Sequence, residues 1–188
     1  MKNQGNCAGY VWRKLALLTA VAGVALSLGM APAAAQNIAL GKSVFQNKVQ
    51  CPLCHGWAGH GVNEDPRSPK GANLRETVMD AEALYVAVQC GLPGTSMPAF
   101  DRFAYRDDRC YGMTADQIGD MKPPPGEVNL ISRELNALVD YLMAKVVGRG
   151  EPTEEECVEF FGPNNNRCKD FAHNAGAGAA GGDPAARH

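Results

Sequence analysis

Five consecutive residues, Cys51-Pro52-Leu53-Cys54-His55, carry the most specific chemistry in this sequence. Two thiols at this spacing can form thioether bonds to the vinyl groups of a haem, and a histidine that follows at once can lie beneath the iron. The motif therefore predicts one covalently bound haem c. Cys51 and Cys54 would hold it, and His55 would be a metal ligand.

Two other chemistries use a similar pair of cysteines. A Cys-Pro-x-Cys pair is typical of thioredoxin-type redox sites, which need a βαβ surround, and no strand pattern stands out in this sequence. A Cys-x-x-Cys pair can also begin a zinc site, for which only His60 stands nearby as a further ligand. Haem attachment is the favoured interpretation, with a redox pair and a zinc site as the alternatives.

Met97 is the candidate for a second iron ligand. A neutral thioether favours reduced iron and raises the redox potential, and the flanking Gly94 and Pro98 indicate a loop rather than a core helix. Most methionines fill gaps in a core, and Met143 has the position of such a residue. The alternatives are the other methionines and two histidines: Met79, Met113, Met121, His60 and His173.

The first 35 residues have the pattern of a secretory signal peptide. Three basic residues precede an uncharged apolar run at residues 15–30, and Ala33-Ala34-Ala35 offers small residues for cleavage. The run is shorter than the roughly 20 residues of a membrane-spanning helix, which favours a cleaved signal over the alternative, an uncleaved N-terminal anchor. We expect a mature chain that begins at Gln36, lies in the periplasm and has no stable membrane insertion.

Loss of that signal changes the balance of charge. The whole chain has 18 basic and 20 acidic residues. Without the three basic residues of the signal, the mature chain has a net charge of about −5. An acidic chain of this kind argues against nucleic acid or an anionic membrane surface as a partner.

Six of the seven cysteines remain after the signal is removed. If Cys51 and Cys54 hold haem, four are left in an oxidising compartment, an even number that permits two disulfides. Four cysteines allow three pairings. We expect the local one, in which Cys90 pairs with Cys110 and Cys157 pairs with Cys168; free buried thiols are the alternative.

The elements that position these residues are helices joined by long loops. Periodicity and capping residues predict four of them. The first two cover residues 37–49 and residues 80–90, the second with Asp80 as N-cap and Gly91 as stop, and a short helix begins at a Thr153–Glu156 capping box. The remaining helix covers residues 132–147, with Ser132 as N-cap and an apolar stripe of Leu135, Leu138, Val139, Leu142, Met143 and Val146. We expect an all-α, loop-rich domain at residues 36–148. A C-terminal extension with the short helix and a disulfide would cover residues 149–173, and a disordered tail residues 174–188.

From about Asn37 to Val147 the chain resembles the monohaem class I cytochromes c. The matching residues are Gly41, Phe45, Cys51 to Gly56, Gly71-Ala72-Asn73-Leu74, Gly94-Thr95-Ser96-Met97-Pro98, Leu138 and Tyr141. The resemblance implies the class I cytochrome c fold, in which small helices surround one covalent haem. It also implies that the first and last helices cross, with Gly41 and Phe45 against Tyr141, and that Met97 is the distal ligand.

One position departs from the family pattern. The family has a proline in the run after the haem motif, and its carbonyl accepts a hydrogen bond from the proximal histidine. Ala72 stands at that place. Because any residue offers a carbonyl, Ala72 can still orient His55, and Pro69 is the alternative acceptor.

The extra cysteines and the charged-aromatic segment Asp101–Tyr111 are similar to cytochromes associated with methanol oxidation. That similarity implies an electron carrier, not an enzyme, which accepts single electrons from a periplasmic dehydrogenase that uses pyrroloquinoline quinone (PQQ). A downstream cytochrome or terminal oxidase would be the acceptor. The alternatives are a haem enzyme or gas sensor with a displaceable distal ligand, and a cytochrome subunit of another periplasmic oxidoreductase.

A partner would dock at the exposed haem edge. In this family's fold the edge lies near the ligand-bearing loops, and the predicted apolar patch is Pro52, Leu53, Met97, Pro98 and Ala99. The charged residues Asp101, Arg102, Arg106 and Asp107 would surround it. A solvated loop with its aromatic residues packed beneath is the plainer interpretation of Asp101–Tyr111.

Overall fold

A computed structural model describes residues 33–169. Its helices are α1 (Ala33–Ser43), continued by a π-helix (Val44–Lys48), α2 (Pro52–His55), α3 (Ala81–Cys90), α4 (Ala115–Ile118), followed by a 3₁₀ turn (Gly119–Met121), α5 (Ser132–Lys145) and α6 (Glu154–Phe161). Among these residues, β pairing is limited to two isolated bridges, Ala99 with Pro125 and Cys110 with Met113. The described chain is all-α, as predicted.

Several predictions fall outside the described residues. They are the signal peptide apart from residues 33–35, the last part of the C-terminal extension with His173, and the tail at residues 174–188. Within residues 33–169, no helix combines the length and the apolar character needed to cross a bilayer.

The first helix differs from its prediction at both ends. It begins at Ala33 rather than Asn37, because the alanines that precede Gln36 favour helix strongly. Its last turn widens into a π-helix, in which the Val49 N–H donates to the Val44 carbonyl at 3.0 Å. This wider turn leads directly into the Cys51 motif, and π-helical turns are frequent at functional sites.

The first helical segment crosses α5 at close range, as the resemblance implies. A Cβ atom on Gly41 would lie 2.6 Å from the Tyr141 Cβ atom and would also collide with the Ala137 carbonyl. The rings of Phe45 and Tyr141 are 5.6 Å apart between centroids. Glycine at position 41 is therefore required for the two helices to approach this closely.

Both ends of α3 are confirmed. The Asp80 carboxylate accepts a hydrogen bond from the Ala83 N–H at 2.9 Å, and the helix ends at Gly91, whose φ of +68° suits glycine. α3 packs against α5. This contact fixes the position from which the loop with Met97 begins.

The N-cap predicted for α5 is displaced by one residue. Ser132 is the first helical residue, and the Glu134 carboxylate accepts a hydrogen bond from the N–H of Ile131, which precedes the helix. The helix ends at Lys145, two residues before the prediction. Five of the six predicted stripe residues are buried: Leu135, Leu138, Val139, Leu142 and Val146.

Met143 is the exception and the prediction for it was wrong, since 40% of it is exposed. It lies at the border of the buried stripe, about 100° around the helix from Leu142. Met143 therefore does not fill a gap in the core.

The C-terminal segment begins with the predicted capping box. The Thr153 hydroxyl accepts from the Glu156 N–H at 3.2 Å, and the Glu156 carboxylate accepts from the Thr153 N–H at 3.0 Å. A disulfide joins Cys157 of α6 to Cys168, and a second joins Cys90 to Cys110. The local disulfide pairing predicted from the sequence is confirmed.

Candidate functional site

The four candidate ligand and attachment residues lie around one cavity. Cys51, Cys54, His55 and Met97 all line a largely apolar space of about 310 Å³. That volume is at the lower end of the range of small-molecule and cofactor sites, about 300–1,000 Å³. The fold therefore brings the motif and the distant methionine to the same place.

Backbone hydrogen bonds present the motif to this cavity. The Cys51 N–H donates to the Phe45 carbonyl at 3.0 Å, which ties the motif to the end of the first helical segment. The His55 N–H then donates to the Cys51 carbonyl at 2.9 Å, closing one helical turn. Gly56 ends the turn with a φ of +78°. The short helix α2 and the residue that caps it, Cys51, therefore carry both thiols and the imidazole.

The imidazole of His55 has a defined tautomer. Its Nδ1 lies 2.8 Å from the Ala72 carbonyl oxygen. A carbonyl can only accept, so Nδ1 carries the proton and Nε2 keeps its lone pair. Burial lowers the pKa of His55, while the Ala72 bond raises it. Of the two acceptors that the sequence left open, the structure selects Ala72 over Pro69.

Gly71 supports the same ring, and sequence reasoning did not assign it this role. Its N–H donates to the Cys54 carbonyl at 2.9 Å. A Cβ atom on Gly71 would lie 2.6 Å from Nδ1 of His55 and 2.8 Å from its Cε1. The ring therefore occupies space that only glycine leaves open. The sequence feature that could have indicated this role is the position of a glycine directly before Ala72, the residue expected to orient His55.

The two motif thiols do not have the properties of a thioredoxin-type pair. Both are free, and burial raises the pKa of Cys51 to about 12. Burial also raises the pKa of Cys54, against a hydrogen bond from Ser68 that lowers it. An attacking redox thiol needs a lowered pKa, and the helices around this pair form no βαβ unit. A redox pair therefore has no support here.

The zinc alternative finds no further ligands in the described chain. Across residues 33–169, no three side chains of the His, Cys, Asp and Glu types gather in a metal-binding group. His60, the nearby candidate, does not line the cavity and instead packs on Trp57 with 5.9 Å between ring centroids. His60 therefore does not share the cavity that Met97 lines.

The loop that carries Met97 is held by local contacts. The Met97 N–H donates to the Thr95 hydroxyl at 3.1 Å, and the Met97 carbonyl accepts from the Leu92 N–H at 3.3 Å. A Cβ atom on Gly91 would approach the Met97 carbonyl oxygen to 2.6 Å. The loop thus folds back onto the end of α3, and Gly91 makes room for it.

The base of this loop has two additional ties. The disulfide between Cys90 and Cys110 is fully buried and lies immediately before Gly91. The Tyr111 hydroxyl donates to the Gly91 carbonyl at 2.8 Å. The cysteines were visible in the sequence, but the role of Tyr111 was not, because nothing in its neighbours indicates where its hydroxyl would reach.

The predicted docking patch needs one correction. Leu53 is 36% exposed, and Pro52, Met97 and Pro98 are half-buried. Ala99, however, is buried, since its N–H donates to the Pro124 carbonyl and its own carbonyl accepts from Gly126. These backbone bonds turn Ala99 inward and remove it from the exposed edge.

The Asp101–Tyr111 segment combines packed aromatic residues with exposed charges. Tyr105 is buried, while the guanidinium carbons of Arg102, Arg106 and Arg109 lie 4.6, 5.1 and 5.8 Å from the centroid of the Phe103 ring. Arg109 also forms ion pairs with Asp107 at 2.6 Å and Asp101 at 3.3 Å. The plainer interpretation, a solvated loop over packed aromatics, describes most of this segment.

Comparison with known proteins gives no match. No family model matches the chain, and neither does any curated protein or solved structure. The site is therefore interpreted from its own residues, their contacts and their chemistry.

Proposed function

We propose that this protein is a periplasmic electron carrier that transfers single electrons through one covalent haem c on a class I cytochrome c fold. One observation carries the proposal: Cys51, Cys54, His55 and Met97 line a single apolar cavity. Two attachment thiols, an imidazole and a thioether are the set that such a haem requires.

The residues present fit the group. Cys51 and Cys54 are free to form the two thioether bonds, and the space that Gly71 leaves open accommodates the His55 ring. Because Nδ1–H of His55 donates to the Ala72 carbonyl, the Nε2 lone pair of His55 is available for the iron. When bound, haem c supplies an iron that gains or loses one electron at a time.

The chain's own residues tune and protect that centre. Met97 would be the second iron ligand, a soft and neutral thioether that favours the reduced state. The Ala72 carbonyl fixes the orientation and basicity of His55, and the apolar lining limits access of water. Because His55 and Met97 would both bind the iron and leave no place for a substrate, electron transfer is favoured over catalysis at the metal.

The proposed electron donor is a PQQ-dependent methanol or alcohol dehydrogenase, and the proposed acceptor is a downstream cytochrome or terminal oxidase. Support comes from the Asp101–Tyr111 segment and the two disulfides, which suit an exported protein. Leu53 lies at the surface beside the attachment residues. With charges of both signs at Arg102 and Asp107, docking there would be weak and only modestly dependent on salt.

The first experiment tests attachment and ligation together. The chain is produced in a host that matures c-type cytochromes, denatured and extracted with acid; the haem should remain with the polypeptide. The native reduced protein should not bind carbon monoxide. Cys54→Ser should leave one linkage at best. Haem that is extracted from the unaltered chain would refute covalent attachment, and ready binding of carbon monoxide would favour an enzyme or gas sensor.

The second experiment tests the donor. Stopped-flow mixing of the oxidised protein with a PQQ-dependent alcohol dehydrogenase and its alcohol should give fast reduction of the haem. Charge reversal at Arg102 or Arg106 should change the association rate more than the redox potential. If this dehydrogenase fails at every salt concentration while another periplasmic donor reduces the haem rapidly, the donor is wrong and the carrier remains.

A further inference from the structure

A second surface lies directly beside the candidate cofactor cavity. It is a shallow groove of about 390 Å³, here called the α3 groove, lined by Met79, Asp80, Glu82, Ala83, Val86, Ala87, Leu92 and Tyr111. Leu92 lines both the α3 groove and the cofactor cavity. A single side chain therefore takes part in both walls, which places the groove within short reach of the proposed haem.

The lining of the α3 groove is largely apolar. Val86, Ala87 and Leu92 contribute to it, and two of its large side chains are exposed, Met79 to 36% and Tyr111 to 40%. Single exposed apolar residues are ordinary, but several around one concave surface mark an interaction site. The Tyr111 ring is also fixed in place, because its hydroxyl is bonded to the Gly91 carbonyl.

The charges at the rim have one sign. Asp80 and Glu82 both line the α3 groove and are exposed, and no lining residue is basic. Neither carboxylate forms an ion pair with a residue of the described chain; within that chain the Asp80 carboxylate accepts only the capping bond from the Ala83 N–H. The Asp101–Tyr111 segment differs in this respect, because there Asp101 and Asp107 form ion pairs with Arg109. An unpaired acidic rim attracts a basic partner.

We infer that the α3 groove is the docking site for a basic redox protein, which inserts an apolar side chain between flanking lysine or arginine side chains. This inference rests on the proposed electron-carrier function and adds a second docking surface to it. The acidic rim would accelerate encounter, and the small apolar floor would give a short-lived complex. Electrons would then pass between the partner and the haem on the Leu92 side.

The test uses mitochondrial cytochrome c as the probe, because it is a basic redox protein. Its reduction by the ferrous form of this protein is followed by stopped flow at low and at high ionic strength. The rate should fall as salt increases. In the double variant Asp80→Asn, Glu82→Gln the low-salt rate should fall by about fivefold or more. Asparagine still caps α3, so the helix is kept.

A matched control removes two charges elsewhere. The double variant Glu154→Gln, Glu155→Gln makes the same change of net charge in the first turn of α6, away from the groove lining. Its rate should stay within about 1.5-fold of the unaltered protein. Ala83→Phe, which fills the groove without a change of charge, should also slow the reaction. Equal slowing by both double variants, or no dependence on salt, would overturn the docking site.

The failure of the docking site and the failure of the proposed function can be told apart. Each variant is first tested for acid-stable haem, for complete reduction by dithionite and for its redox potential. An unaltered chain without covalent haem would refute the electron-carrier function itself. Normal haem and potential, together with a rate that is unaffected at Asp80, Glu82 and Ala83, would refute the α3 groove alone.

Discussion

The imidazole of His55 is held by the backbone of the segment that follows its motif. The Ala72 carbonyl accepts a hydrogen bond from Nδ1–H, and Gly71, which has no Cβ atom, leaves room for the ring. The Ala72 contact uses only a backbone carbonyl, whereas the Gly71 contact requires that residue 71 has no side chain. The position of the ring is therefore set by the course of the chain at residues 71–72, which makes a substitution there informative.

Gly71→Ala should displace His55. The added methyl group would meet the ring at 2.6 Å, and overpacking of this kind costs about 1–3 kcal/mol. We expect lower stability to denaturant and, in the mature protein, a lower yield of covalent haem with an altered visible spectrum. Ala72→Ser is the control, because the Ala72 side chain is exposed and its carbonyl is retained. Equal behaviour of the two variants would contradict the role of Gly71.

Met97→Ala tests the second ligand. Loss of a soft, neutral thioether should lower the redox potential and allow carbon monoxide to bind the reduced protein. Optical titration and a carbon monoxide difference spectrum measure both effects. Met143→Ala is the control, since Met143 is exposed on α5 and does not line the cavity. An unchanged spectrum and potential in Met97→Ala would show that another residue binds the iron.

The sequence could predict the parts of the site that depend on a chemically distinctive side chain, but not those that depend on the backbone. The motif cysteines, His55 and Met97 were identified because their side chains are chemically distinctive. The choice between Ala72 and Pro69 could not be made, because every residue has a carbonyl and only the fold decides which one reaches Nδ1. Ala99 was assigned to the surface because nothing local revealed its backbone bonds to Pro124 and Gly126.

At the scale of elements, the two disulfides each close a short chain segment but lie in different places. Cys90 and Cys110 are 20 residues apart and flank the Met97 loop, whereas Cys157 and Cys168 are 11 residues apart beyond α5. Chain-entropy accounting gives each closure about 3 kcal/mol of stability. They therefore form a natural pair of test and control.

The double variant Cys90→Ala, Cys110→Ala should unfold more easily by about 3 kcal/mol and should also release Met97 more readily. The second effect is measured as displacement of the ligand by imidazole or cyanide under native conditions. Cys157→Ala, Cys168→Ala should lose similar stability while its Met97 remains as resistant as in the unaltered protein. Equal ease of displacement in both variants would mean that the first disulfide has no specific effect on the loop.

Capping residues located the boundaries of the longer helices, but the Thr114–Gln117 capping box did not reveal the short helix α4. Asp80, Gly91 and Thr153 located α3 and the start of α6, because a side-chain acceptor or a permissive glycine marks the boundary in the sequence itself. The short helices α2 and α4 were missed, since four residues are too few to show periodicity. Tertiary contacts, not local pattern, stabilise elements of that length.

At the scale of the whole molecule, Arg75 joins the region after the motif to the C-terminal segment. It is only 3% exposed, and its Nη2 donates to the Glu156 carboxylate at 2.9 Å and to the Arg149 carbonyl at 3.2 Å. Its Nε donates to the Gly150 carbonyl. A buried charge persists when its partners are complete. Sequence analysis gave no indication of this residue, because a single arginine in a polar stretch forms no pattern.

Arg75→Met should lower the free energy of unfolding by about 3 kcal/mol, since it leaves a carboxylate and several carbonyls without their donor. Glu156→Gln should cost less, about 1–2 kcal/mol, because glutamine keeps the capping box and the carbonyl partners remain. Urea denaturation of the two variants provides the comparison. A larger effect for Glu156→Gln would contradict the importance of the carbonyl contacts.

Loss of the C-terminal segment would leave Arg75 without several of its partners. A protease that cleaved after Gly148 would remove the carbonyls of Arg149 and Gly150 together with the Glu156 carboxylate, and would leave a cation inside the remaining fragment. The fragment would then have to open locally to hydrate that charge, and each opening would expose further cleavage sites. Degradation from the C-terminus should therefore proceed in one continuous course, without a long-lived product that ends near residue 148.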